Sequence, residues 1–154
     1  MTDHNLILHR VLNAPRALIY ACWTQPEHMV HWFMPKPHFI SDVQIDLRPG
    51  GKYNSTMHVD GNAMPSEGCV LDAVEGRRFA FTNMMGADWQ PLPGIDMAFS
   101  ATIDLSDAPE GTVYHVTARH QTAEIAAQHE AMGFTQGWGL VATQLEAYAQ
   151  SLAK

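Results

Sequence analysis

The chain has 154 residues and a mass of 17.1 kDa, which is the size of one domain. Apolar residues make up 46% and charged residues 16%, a globular composition that excludes a disordered tail. Nine Lys and Arg against 16 Asp and Glu give a net charge of −7, so the cationic face needed to grip phosphate backbones is not expected and no nucleic-acid partner follows.

The first stretch, Asn5 to Leu12, is apolar and β-compatible and reads as a strand. Asn13-Ala14-Pro15 reads as a helix start, with Asn13 as cap and Pro15 in the first turn. Leu18, Ile19, Cys22 and Trp23 give the following residues a helical apolar face. Thr24-Gln25-Pro26-Glu27 has the form of a capping box and opens a second short helix, ending near Trp32-Phe33 before Met34-Pro35-Lys36-Pro37. From His38 the period becomes two, which predicts Phe39, Val43, Ile45 and Leu47 on one face. Pro49-Gly50-Gly51 turns the chain. Tyr53 to Val59 is the next strand, with Tyr53, Ser55, Met57 and Val59 sharing a face, and Asp60-Gly61-Asn62 turns again.

Glu67 to Glu75 reads as one strand of undetermined facing, since Val70/Val74 and Leu71/Ala73 are both apolar pairs. A turn at Glu75-Gly76-Arg77 leads into Arg78 to Met84, with Phe79 and Phe81 on one side. Met84 to Ile95 keeps neither period yet carries Met85, Trp89, Leu92 and Ile95, the pattern of a loop that covers something. Asp96 to Leu105 alternates, with Met97, Phe99, Ala101, Ile103 and Leu105 inward. A hairpin at Asp107 to Gly111 returns through Val113 to His120, with Tyr114, Val116, Ala118 and His120 inward. Thr122 caps the last element. Phe134, Trp138, Val141, Leu145, Tyr148 and Leu152 then form a continuous helical stripe, and a helix unbroken from Ala123 to Ser151 would be roughly 40 Å long. Gly133, Gly137 and Gly139 interrupt it, either to let backbones approach or to permit a bend.

Strand, two short helices, a run of hairpins and one long helix describe an α+β domain with an antiparallel sheet of about seven strands. One helix, about 10 Å across, cannot cover a flat sheet about 30 Å wide. The sheet is therefore expected to curl around the C-terminal helix, with the two short helices plugging one end and a cavity left between.

The runs NAPRALIYACWTQPEHMVHWF, IDLRPGGKY, GCVLDAVEGRRFAFTN and GFTQGWGLVATQLEAY resemble the activator of heat-shock protein ninety ATPase homologue family, within the SRPBCC superfamily that also holds START and birch-pollen-allergen-like domains. The most specific pieces are Asp46-Leu47-Arg48-Pro49-Gly50-Gly51 and Gly137-Trp138. The resemblance covers nearly the whole chain. It implies a helix-grip fold and no single activity, since the superfamily includes lipid carriers, cyclases, hormone-binding proteins and co-chaperone domains.

The residues expected at a ligand wall are Trp32, Phe33, Tyr53, Met57, Phe81, Asn83, Trp89, Met97, Phe99, His120, Phe134 and Trp138. Trp32 and Trp89 are expected at the pocket edge, while Trp138 is as well explained by core packing. Tyr53, Ser55, Asn83 and His120 are the inward polar groups, which either satisfy one another or orient a guest. Histidine is the residue type suited to proton transfer near neutral pH, which makes His120 the general-base candidate if chemistry occurs. His28 and His31 sit a helical turn apart without further ligands and read as solvated surface. Asp46 and Arg48 read as a surface ion pair, and Cys22 and Cys69 as buried structural thiols.

Neither metal nor cofactor is expected. No apolar run approaches the roughly 20 residues of a membrane helix. MTDHNLILHRV lacks the layout of a secretion signal, and two cysteines build no disulfide framework, so a reduced cytosol is the expected compartment. The expected role is binding a small apolar or aromatic ligand. A chaperone partner and a cyclase- or hydrolase-like enzyme are the alternatives, and a homodimer formed through a sheet edge is compatible with the pattern.

Overall fold

The computed structural model describes residues 4–153. Strand β1 (Asn5–Leu12) leads into helices α1 (Arg16–Thr24) and α2 (Pro26–Met29). Strands β2 (Phe39–Ile45), β3 (Tyr53–Val59), β4 (Asn62–Ser66), β5 (Cys69–Val74), β6 (Arg78–Thr82), β7 (Ser100–Ala108) and β8 (Gly111–Arg119) follow, and the chain ends in helices α3 (Ala123–Ala131) and α4 (Phe134–Leu152). Five strands pair antiparallel in the order β1-β8-β7-β6-β5 and three in the order β2-β3-β4. The start of β3 is tied to β5: the Tyr53 amide donates to the Gly68 carbonyl at 3.0 Å, and Gly50 and Gly51 exchange bonds with Val70 at 2.8 Å. The two sheets thus join at one corner and curve around α4, giving the helix-grip fold.

The core lies inside that curve. Val141, Ala142, Leu145 and Ala149 of α4 pack with Leu8 and Leu12 of β1 and with Ile103 and Val116 of the central strands. Trp23 of α1 is the hub: its ring lies 5.0 Å from Trp32, 5.6 Å from Phe33, 5.9 Å from Phe81 and 6.3 Å from Trp138. Its indole N–H donates to the Tyr114 hydroxyl at 3.1 Å, so the buried polar atom is satisfied.

Several local expectations are corrected. Among the described residues the strands number eight, because the segment expected as one strand from Glu67 is preceded by β4 and begins only at Cys69. The turn at Asp60 and Gly61, with φ of 52° and 80°, folds β4 straight back onto β3. In β2 the register shifts between Ser41 and Gln44, with Asp42 at φ 53°. This bulge turns Ile40 inward with Val43 and Ile45 and leaves Phe39 51% exposed, so Phe39 does not share their face. A second register shift, between Val70 and Asp72, resolves the facing of β5: Val70 and Ala73 both meet the core while Val74 is exposed.

Asp96 to Phe99 is not strand, and β7 begins at Ser100. Asn13 does not cap α1, whose cap position is Pro15 with no side-chain bond. The Thr24 hydroxyl donates back to the Tyr20 carbonyl at 2.8 Å, so the capping box does not form and Gln25 occupies the cap of α2. Thr122 does cap α3, accepting from the Ile125 amide at 3.1 Å. The long C-terminal helix is two helices, broken at Gly133, whose φ of 96° is left-handed. No helix among the described residues is long and apolar enough to cross a membrane.

Candidate ligand cavity

A cavity of about 330 Å³ lies between the three-stranded sheet, β6 and the first two turns of α4. Trp23, Met29, Phe33, Tyr53, Met57, Phe81, Phe99, Trp138 and Val141 form its apolar wall, and Met34, Pro35, Val43, Thr82 and Asn83 complete it. Asn54, Ser55, Ser66, Glu67 and Gly68 form a polar side. Each element contributes through its own periodicity. Tyr53, Ser55 and Met57 alternate along β3, whereas Trp138 and Val141 are three apart on α4. Gly137 also borders the cavity, and a Cβ added there would meet no atom within 4 Å.

Among the described residues the wall holds no Lys, Arg, His or Asp, and its ionisable groups are Tyr53 and the exposed Glu67. Burial, and secondarily the nearby Tyr114, raises the Tyr53 hydroxyl well above the ordinary value of 10.0, so it stays protonated. Tyr53 packs 4.7 Å from Phe81 and 5.3 Å from Phe79. Asn83 braces the wall: its amide donates to the Met97 carbonyl at 2.7 Å and accepts from the Phe99 amide at 3.0 Å. This clamp holds Phe99 in place just before β7 begins.

Of the residues expected at the wall, Phe33, Tyr53, Met57, Phe81, Asn83, Phe99 and Trp138 line this cavity. The other five lie elsewhere. Trp32 is 1% exposed and points into the core, donating to the Cys22 carbonyl at 3.2 Å, so it is no pocket edge. Trp89 is 46% exposed and lies over Gly50, where an added Cβ would come 2.7 Å from its indole nitrogen. The loop from Met84 to Ile95 therefore docks on the Pro49-Gly50-Gly51 turn rather than covering the cavity. Asp88 of that loop lies 3.5 Å from Arg48, which also pairs with Asp46 at 2.7 Å.

Met97 contributes only its carbonyl to the Asn83 clamp. Phe134 is buried behind Trp138, at 5.4 Å. His120 is buried away from the cavity: its Nδ1 donates to the His4 carbonyl at 2.7 Å and its Nε2 lies 2.8 Å from His129 Nδ1. Since a carbonyl can only accept, Nδ1 of His120 carries a proton, and the contact between Nε2 and His129 Nδ1 places one further proton between the two rings. Burial first, and His120 second, lower the His129 pKa from 6.5.

The sequence reading missed Trp23, Met29, Met34, Val43, Gly137 and Val141 as wall residues. Trp23 and Val141 sit in stripes that look like plain core, and only the curvature of the sheets opens a hollow beside them. His28 and His31 both meet Tyr148, the first by a 2.9 Å hydrogen bond and the second by stacking at 4.9 Å. Among the described residues no three His, Cys, Asp or Glu side chains converge as metal ligands. Both cysteines are buried, and burial pushes the Cys22 thiol up to about 12. A larger groove of about 740 Å³ between α1 and the β5–β6 turn is of mixed polar and apolar lining, and Arg16 crosses it to Asp107 and to the Gly76 carbonyl.

Residues 13–150 match the family described as activator of Hsp90 ATPase homolog 1-like protein. A crystal structure of a Nitrosomonas europaea protein is similar over 99% of this chain and 98% of its own, with 35% identity and a TM-score of 0.93. A Chromobacterium violaceum protein shares the fold at 23% identity over 96% of this chain and 98% of its own, with a TM-score of 0.77. An AHSA1-like protein from Aeromonas hydrophila does so at 14% identity over 97% and 94%, with a TM-score of 0.74. None of the curated proteins matches the chain.

Proposed function

We propose, from the premise that this chain belongs to the activator of Hsp90 ATPase homolog 1-like family of the SRPBCC superfamily, that it binds a small apolar or aromatic molecule in the cavity between the curved sheets and α4. The observation that carries this reading is the cavity itself: about 330 Å³ of space walled by aromatic rings and thioethers. At about 30 Å³ per water it would otherwise hold roughly ten waters against an apolar surface, and a guest of one or two rings displaces them favourably. The polar side at Ser55, Ser66 and Glu67 gives the guest a way to keep one hydrated end. A protonated Tyr53 and a rim carboxylate favour an uncharged guest.

Trp23 and Trp138 both border the cavity, which makes intrinsic fluorescence the direct readout. Titration with a panel of uncharged one- and two-ring compounds is expected to give saturable changes in tryptophan emission, with dissociation constants in the micromolar range or below. Native mass spectrometry of protein from its own host is expected to carry a small bound mass. A flat titration across the panel, together with a mass equal to the bare chain, would overturn the reading.

A further inference from the structure

Resting on that reading, we infer that the ligand is an uncharged ring compound bearing a hydrogen-bond acceptor, such as a ketone or an ether, held by the hydroxyl of Tyr53. Besides Tyr53 and the indole of Trp138, which has no hydrogen-bond partner among the described residues, the donors on the deep wall are engaged. Asn83 clamps the backbone at Met97 and Phe99, the Thr82 hydroxyl donates to the Phe99 carbonyl at 3.1 Å, and the Trp23 indole donates to Tyr114. Tyr53 differs. Its hydroxyl is directed to the thioether of Met29 at 3.5 Å, and a thioether is a weak acceptor. A strong donor in an apolar wall with only a sulfur partner forgoes most of the energy of a good hydrogen bond, and a carbonyl or ether oxygen entering the cavity restores it.

The charge of the guest follows from the same wall. Among the described residues no cationic side chain borders the cavity, and Glu67 stands at its polar side. A carboxylate or phosphate would therefore be desolvated with no counter-charge and a negative neighbour, which disfavours anions.

Three probes of equal heavy-atom count separate the terms: 2-acetonaphthone, 2-isopropylnaphthalene and 2-naphthoate. Because the hydrocarbon and the ketone differ in their own hydration, the quantity to read is how their affinity ratio changes on Tyr53→Phe. The ketone-to-hydrocarbon ratio is expected to fall three- to tenfold in the variant, while the hydrocarbon itself binds as before. The naphthoate is expected to bind the native protein at least tenfold more weakly than the ketone.

The bound ketone's infrared carbonyl stretch is expected below its frequency in an alkane solvent, a readout that needs no variant. An unchanged ratio or an alkane-like stretch would overturn the Tyr53 assignment, and a naphthoate as tight as the ketone would overturn the preference for an uncharged guest, with the cavity reading left in place in each case. Failure of all three probes to bind the native protein would overturn this inference, and the cavity reading falls with it only where the wider panel is also flat and the native mass is that of the bare chain.

Discussion

Asn83 and His129 illustrate how single side chains hold neighbouring segments together. Asn83 spends both ends of its amide on the backbone on either side of Ala98, at 2.7 and 3.0 Å, and so fixes Phe99 against Phe81 and Trp138. Asn83→Ala leaves a carbonyl and an amide without those partners, and a loss of about 1–3 kcal/mol is expected in urea unfolding, with weaker retention of any cavity ligand. His129 controls a second contact, between α3 and the end of β8. Its pKa is held below 6.5 mainly by burial and then by His120, with Glu130 pulling the other way. As pH falls through and below about 6.5, the unfolded chain takes up a proton that folded His129 resists. The stability this residue contributes is therefore full above that value and is lost on acidification. His129→Gln is expected to flatten the fall of Tm between pH 7 and pH 5.5 relative to the native chain; parallel slopes would remove His129 as the cause.

The helices show why similar residues in the sequence behave differently in the fold. Gly133 and Gly137 both sit in a stretch whose apolar stripe reads as one helix. Gly133 has φ 96° and ends α3, so Gly133→Ala forces a left-handed alanine at a cost of about 1–2 kcal/mol. Gly137 is inside α4 with ordinary helical backbone and open space beyond its Cα, so Gly137→Ala is expected to raise stability by up to about 1 kcal/mol. Opposite shifts of Tm in the two variants test both assignments.

The strands and the stripe of α4 were legible because burial on one face imposes a period, and β1 and β3 have the bounds their patterns give. What was illegible is what a period cannot encode. The two register shifts, in β2 and β5, reverse the facing of Phe39 and split the apolar pairs of β5. Strand β4, all but its last residue exposed, has no apolar face to announce it. The same limit applies to the site. Residues on β3, β6 and α4 were found because they face inward, but inward facing does not distinguish Trp32, which fills the core, from Trp138, which borders the hollow.

The molecule as a whole is two sheets joined at one corner and closed by a helix, and that geometry makes ligand and stability interdependent. A guest that occupies the cavity binds only the folded chain, because its wall is assembled from β3, β6, α2 and α4. At a free concentration 100 times its dissociation constant it adds about 2.7 kcal/mol to the unfolding free energy. For a chain of this size that corresponds to a rise in Tm of about 5–10 °C. Gly137→Leu supplies the control. Its side chain has room to extend into the space a guest would take, and it replaces the poorest ordinary helix former with a good one. The variant is expected to melt no lower than the native chain and to show a smaller ligand-induced rise, because the leucine takes up part of the cavity of about 330 Å³ and of the wall a guest would contact. Retention of the full rise in this variant would place the guest away from the wall at Gly137.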